Sequence, residues 1–145
     1  MESCTFFPGK KIPGLNPAEQ QARLEAAPAA LQEAYRQLAE YFDGRRTRFS
    51  VKLNLDGTSF QKKVWARLRQ IPFGQTRSYG QVARSCGRPG AARAVGGANN
   101  RNPAVIFVPC HRVIGSDGSL TGFGGGLWRK KWLLEHEKKV LAAGA

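Results

Sequence analysis

A thiol becomes a nucleophile when a base takes its proton and a third group holds that base, so chemistry is sought first around Cys110 and His111. Cys110 follows Pro109 and ends an apolar run, Ala104–Val108. A structural role is the ordinary fate of a free, buried cysteine. An active role needs an orienting acid, and Glu137 offers one. It stands at helical spacing from Leu133, Leu134, Val140 and Leu141, so it shares the apolar stripe of the last helix. A carboxylate there either reaches water at the helix end or is paired. His111 and His136 are the two histidines, so a Glu137–His111–Cys110 relay is economical, though spacing leaves both readings open. Zinc fails on counting. Cys4, Cys86, Cys110, His111 and His136 show no CxxC or HxxxH spacing, so no metal is expected.

The elements that must position these residues are legible in part. Residues 1–28 are punctuated by Pro and Gly and read as mostly irregular, with room for one short helix. Leu31, Tyr35, Leu38 and Phe42 recur as one helical stripe over Ala29–Phe42. Phe49, Val51, Leu53 and Leu55 alternate with polar residues, which predicts a half-buried strand. Thr58 with Gln61, and Ser78 with Gln81, are capping boxes that open two helices. Gly87 ends the second helix, and Pro89 stands where a third would begin, continuing through Ala91–Val95. Two short helices joined by a tight turn suggest a helix-turn-helix. Asn102-Pro103 breaks the third helix, Ala104–Val108 reads as buried on all sides, Gly115–Gly126 is a loop, and the last helix runs over Leu127–Leu141.

Charge points to the partner. Of 145 residues, 41% are hydrophobic and 23% charged, enough for a packed core, and the net charge is +13. Residues 1–56 hold eight basic and seven acidic side chains, whereas residues 57–145 hold fifteen and three. No acid at all stands between Asp56 and Asp117. A localised basic segment is the footprint of a polyanion partner, because each neutralised phosphate releases counterions. No apolar run approaches the ~20 residues of a membrane span, and the first ten residues lack the pattern of a secretory signal. Three cysteines without such a signal predict reduced thiols and a cytoplasmic setting, or a nuclear one in a eukaryote.

Val108-Pro109-Cys110-His111-Arg112-Val113-Ile114 resembles the active-site signature of O6-alkylguanine-DNA alkyltransferases, the methylated-DNA–protein-cysteine methyltransferases. Phe60–Trp65, Ile71–Gly74, Ser78-Tyr79, Ala91–Gly96, Asn102-Pro103 and Gly125–Leu127 resemble the family's other motifs in the same order. The resemblance implies that Cys110 accepts the alkyl group, that His111 takes its proton through a water, and that Glu137 holds the imidazole. It implies that Tyr79 donates toward the guanine ring, that Arg93 enters the base stack in place of the extruded nucleotide, and that Asn102 braces the helix-turn-helix. Backbone groups at Cys110 and Val113 would read the guanine edge, and Phe123 with Gly124 would form part of a lid. The small face of Ala91, Ala92, Ala94, Gly96 and Gly97 would let the recognition helix approach the minor groove closely. Cys86 has no matching role, and Arg129, Lys130 and Lys131 read as a solvated or phosphate-facing helix end.

The expected fold is therefore α+β, mainly α. A small N-terminal α/β remnant (1–56, one helix and one strand) precedes a winged-helix-like DNA-binding and catalytic domain (57–145). The expected partner is double-stranded DNA containing O6-alkylguanine, bound by a monomer through the minor groove with the base flipped; O4-alkylthymine is a further substrate the resemblance allows. No cofactor is expected, because the lesion carries the electrophilic carbon. Family members usually have a fuller, strand-rich N-terminal domain, and some have a lid serine where this chain has Gly124. Three rivals remain. A non-enzymatic alkyltransferase-like lesion binder would lack the acceptor cysteine. A helix-turn-helix regulator would want a dimer seam, and a cysteine hydrolase leaves the acid-free arginine segment unexplained.

Overall fold

Reciprocal capping boxes start the two helices that frame the site. Thr58 Oγ1 accepts from Gln61 N at 3.1 Å while Gln61 Oε1 accepts from Thr58 N at 3.0 Å. Ser78 Oγ and Gln81 Oε1 repeat the arrangement at 3.1 and 2.8 Å. Each box satisfies two amides the helix leaves unpaired, and losing such a cap typically costs about 1 kcal/mol. The computed structural model describes residues 17–121 and 126–144. In chain order they form α1 (Pro17–Ala26), α2 (Ala29–Phe42), α3 (Ser59–Leu68), β1 (Arg77–Ser78), α4 (Tyr79–Ser85), α5 (Ala92–Asn100), a 3₁₀ turn (Cys110–Arg112), β2 (Val113–Ile114) and α6 (Leu127–Ala142). The architecture is α+β and mainly helical, and it divides into two compact units, Met1–Lys52 and Leu53–Ala145.

In the first unit, α1 packs against α2. The buried face of α2 is Gln37, Leu38 and Tyr41, whereas Leu31 and Tyr35 of the expected stripe are 60% and 42% exposed. The expected strand over 49–55 does not form. Residues 49–55 alternate between half-buried and exposed as a strand would, yet no ladder partner pairs with them among the described residues. A glutamine side chain takes the place of a strand instead: Gln37 Oε1 accepts from Ser50 N at 3.0 Å, and Gln37 Nε2 donates to Ser50 Oγ at 2.8 Å. The N-terminal region therefore holds two helices and an unpaired extended segment rather than one helix and one strand.

In the second unit, α3, α4 and α5 pack on one another around Val64, Trp65, Leu68, Val82, Val95 and Ala98, all buried. Trp65 Nε1 donates to Ala98 O at 2.8 Å, so the largest apolar surface here also satisfies its polar atom. The helix-turn-helix is α4 and α5. Its turn keeps Pro89, because Gly87 at φ 75° and the Ala91 N to Arg88 O bond use up the residues before Ala92, where α5 begins. The apolar run before Cys110 is buried as expected, apart from half-buried Val105, but it folds back on itself. Val108 N bonds Ala104 O at 2.9 Å across Ile106 at φ 76°, a costly conformation for a β-branched residue.

The two-residue strands, which no alternation announces, position the site. They pair in parallel, Arg77 with Val113 and Ser78 with Ile114. That pairing sets the N-terminus of α4, and hence Tyr79, beside the Cys110–Arg112 turn. The same turn packs on α6.

Candidate active site

Glu137 is fully buried and accepts four hydrogen bonds from described residues, which accounts for a carboxylate on an apolar stripe. His111 Nε2 lies 2.6 Å from Oε2. Arg112 donates Nε to Oε1 at 2.9 Å and Nη2 to Oε2 at 3.0 Å, a bidentate fork, and Gly74 N donates to Oε1 at 2.9 Å. Burial alone would raise the Glu137 carboxyl, but His111 and Arg112 together hold it well below the usual carboxylate range. It is ionised, and an ionised carboxylate only accepts, so the histidine proton is on Nε2. Burial also pushes the His111 imidazole down against the pull of Glu137, so the ring is neutral near pH 7. The counter-ion of Glu137 is therefore Arg112. His111 is left with a lone pair on Nδ1, which has no hydrogen-bond partner among the described residues.

The relay pair read from the helix stripe is thus brought together, and Arg112 completes it. In the sequence Arg112 is one more basic residue of the stretch that lacks acids. It is 6% exposed, ties Glu137 to the Ile71 carbonyl at 2.8 Å, and its guanidinium stands 5.6 Å from the Phe73 ring centroid. Gly74 was also missed as a ligand. Its φ is 79°, which favours glycine, and a Cβ there would lie 2.1 Å from Leu141 Cδ1, so the end of that exposed side chain would have to move.

Cys110 is 2% exposed, and burial pushes its thiol up, opposed by Asn102 and by the charge of Lys130. That lysine is the largest departure from the sequence reading. Lys130 is fully buried rather than solvated or facing phosphate, and its Nζ donates to Thr121 O at 2.8 Å, 5.8 Å from the Tyr79 ring centroid. Burial lowers its pKa to about 8, opposed by the nearby Cys110. A signal existed: Lys130, Leu133, Glu137 and Val140 are the buried positions of α6 and form a single helical stripe. Arg129 stacks over Trp128 at 4.7 Å and Lys131 is exposed.

Tyr79 is half-buried and donates its hydroxyl to the same Thr121 carbonyl at 2.9 Å, and burial raises its pKa. Asn102 Nδ2 donates to Val108 O at 2.7 Å while its Oδ1 accepts from Ala104 N at 2.9 Å, joining the end of α5 to the segment before Cys110. Asn99, which sequence reasoning passed over, is buried and reaches the Cys110 carbonyl at 3.4 Å. Val113 is fully buried in β2. Ala91 immediately precedes α5 and Ala92 starts it, Arg93 is exposed on its first turn, and Gly96 lies under Tyr79 with room for an ordinary contact at 3.9 Å. Phe123 and Gly124 lie outside the described residues, as does Cys4. Cys86 is a buried free cysteine of the core at the end of α4. A neutral imidazole acceptor beside a buried thiol, with a cation nearby to steady the thiolate, equips this site to generate a sulfur nucleophile.

The chain resembles known proteins over this same region. The family model described as 6-O-methylguanine DNA methyltransferase, DNA binding domain, matches residues 59–139. The methylated-DNA–protein-cysteine methyltransferase of Mycobacterium leprae is 60% identical over 109 residues, covering 75% of this chain and 66% of that protein. The chain spans about two thirds of the length of the curated relatives it matches. A crystal structure of Mycobacterium tuberculosis OGT in complex with DNA aligns at TM-score 0.76 with 57% identity, covering 79% of this chain and 70% of that one. Schizosaccharomyces pombe Atl1, in complex with damaged DNA containing O6-carboxymethylguanine, aligns at TM-score 0.51 with 36% identity over 58% of this chain and 80% of that one. The chain belongs to the methylated-DNA–protein-cysteine methyltransferase family.

Proposed function

We propose that this protein repairs DNA by moving the alkyl group of O6-alkylguanine onto its own Cys110 sulfur. The observation that carries this reading is the Glu137–His111 geometry: a neutral imidazole, proton-loaded on Nε2 and open on Nδ1, beside a buried thiol at the family's acceptor position. His111 Nδ1 takes the Cys110 proton through a water. The thiolate attacks the alkyl carbon in line, the carbon–sulfur bond forms, and the carbon–oxygen bond breaks with its electron pair on the guanine oxygen. Tyr79 turns its hydroxyl from Thr121 toward the ring as negative charge develops there. The proton held by His111 then passes to the base, leaving guanine and a thioether. Water does not displace an alkyl group from a thioether, so each molecule acts once.

The alkyl carbon is out of reach inside a duplex, so the base leaves the stack, at ~a few kcal/mol. Arg93 is suited to fill the gap from the minor groove, the small residues Ala91, Ala92 and Gly96 let α5 approach that groove closely, and Asn102 braces the helix. The protein acts as a monomer.

Incubation with an excess of duplex containing O6-methylguanine, followed by intact-mass spectrometry and peptide mapping, tests the reading. One methyl group per molecule, on Cys110, is expected. A stable complex with unmodified Cys110 would make the protein a lesion binder instead, and turnover beyond one equivalent would refute the suicide step.

A further inference from the structure

A second cationic feature stands apart from the Cys110 site. The end of α3, β1 and the outer face of α4 enclose a cleft of about 390 Å³. Arg67, Arg77 and Arg84 line it, one from each element, with Gln81 beside them and the buried Ile71 and Val82 at its floor. Arg67 and Arg77 are half-buried and held by neutral groups. Arg67 Nη1 reaches Gln70 Oε1 at 3.4 Å, and Arg77 donates to Thr76 O at 2.9 Å and to Gln75 Oε1 at 3.1 Å. None of the three forms an ion pair with a carboxylate of the described residues. The sequence offers no nearby acid, since none stands between Asp56 and Asp117. Three guanidinium groups facing one concavity repel each other unless an anion enters, and the planar fork of arginine matches a phosphate in two bonds.

We propose that this cleft holds the phosphodiester backbone of duplex DNA outside the lesion, as an anchor distinct from the recognition helix. The occupant follows from the position of α4. It is the leading helix of the helix-turn-helix, the helix that crosses the backbone while the second enters a groove. Gln81 and Arg84 on its outer face form one wall of the cleft. The proposal rests on the reading of the protein as a DNA alkyltransferase, and it adds a phosphate contact that the Cys110 chemistry does not need.

The test is the salt dependence of binding to an undamaged 25-base-pair duplex. Substitutions R67Q, R77Q and R84Q combined should lower the log–log slope by roughly 0.9 for each phosphate released, up to about 2.7 for three. K52Q, K138Q and K139Q combined remove equal charge from exposed positions elsewhere and should change the slope far less. Ile71 also carries the Arg112 contact, so transfer from free O6-methylguanine, which needs no duplex, checks that the relay is intact in each variant. R84Q alone, on an exposed side chain, repeats the measurement if the triple variant does not fold. An unchanged slope in folded variants, or an equal fall in the lysine control, overturns the cleft. Failure of the alkyltransferase reading is a separate result, seen as unmodified Cys110 in the wild-type protein.

Discussion

Arg112 and Arg93 carry the same guanidinium into opposite surroundings. Arg112 lies inside the second unit, its charge met by Glu137 through two hydrogen bonds and another of its donors by a backbone carbonyl. Arg93 stands exposed on α5, where no carboxylate pairs with it among the described residues. The difference separates two uses of positive charge. A cation whose partner is in the chain fixes geometry, and its loss is felt by the fold and by the proton relay. On the proposed function, a cation without one is available to DNA, and its loss should be felt only when DNA is present.

The strongest way to break that contrast is to remove members of the buried cluster. Glu137→Gln keeps the shape but gives up the charge, and His111→Ala gives up the base. Each should slow alkyl transfer by roughly 10²–10⁴ on free base and duplex alike, the range typical of lost acid–base assistance. The double variant should be little slower than either, since the pair acts as a unit; losses that multiply would show independent action. Arg112→Met sharpens the point. Without its counter-ion, Glu137 draws a proton onto His111, so Nδ1 becomes a donor and ceases to be a base. Transfer should fall at pH 7 and recover toward pH 9, with the imidazole titration seen by NMR moving up; a pH-independent loss would mean that Arg112 serves only packing. Breaking a buried pair also costs about 3–5 kcal/mol, so folding is confirmed first.

On the exposed side, Arg93→Ala should leave transfer from the free base unchanged and slow transfer from duplex DNA by roughly 10- to 100-fold, matching the few kcal/mol of base extrusion. Equal losses on both substrates would remove Arg93 from extrusion.

The contrast was only half legible in the sequence. The acid-free stretch, the two capping boxes and the helical spacing of Glu137 are local patterns, and α3, α4, α6 and the His111 contact follow from them. Arg112 and Gly74 are not local. Each acts through a contact across many residues, Glu137 to Gly74 and Arg112 to Ile71 among them, and a charged residue looks solvated until its partner is found. The strand misread has the same root. Alternation over 49–55 specifies an extended chain, but a sheet needs a second edge, and here the Gln37 side chain takes the Ser50 amide. The two real strands are too short for alternation to register.

Gly74→Ala tests whether the cluster depends on backbone placement as well as on charge. The added methyl meets Leu141 and the φ of 79° disfavours it, so stability should fall by about 1–3 kcal/mol, the usual cost of a side chain held in a sparsely populated conformation. Chemical denaturation measures it. Shortening Leu141 to Ala in the same background should restore part of the loss if the clash matters, and none if the left-handed backbone alone is responsible.

The smallest expected effect is in the pH dependence of stability. His111 has its folded pKa depressed by burial, so between that value and the ordinary 6.5 the unfolded chain binds the extra proton. Stability contributed by the neutral ring is complete above pH 6.5 and falls as the pH drops below it, the reverse of a histidine that gains charge on folding. Glu137 acts in the same direction at lower pH: its carboxylate is depressed, so its contribution is present above about pH 4.5 and is lost as the pH falls toward the folded value. Other ordinary carboxyl groups also titrate chiefly below pH 5, which leaves pH 6.5 to 5 as the window in which His111 can be seen. One proton corresponds to a slope of at most about 1.4 kcal/mol per pH unit. His111→Gln, whose longer side-chain amide reaches toward the Nε2 position and can still donate to Glu137, should flatten the slope in that window, while His136→Gln, at the ring stacked 5.0 Å from Trp132, serves as the matched control. A slope unchanged in His111→Gln but lost in His136→Gln would put the proton on the other histidine and remove the neutral-imidazole premise of the relay.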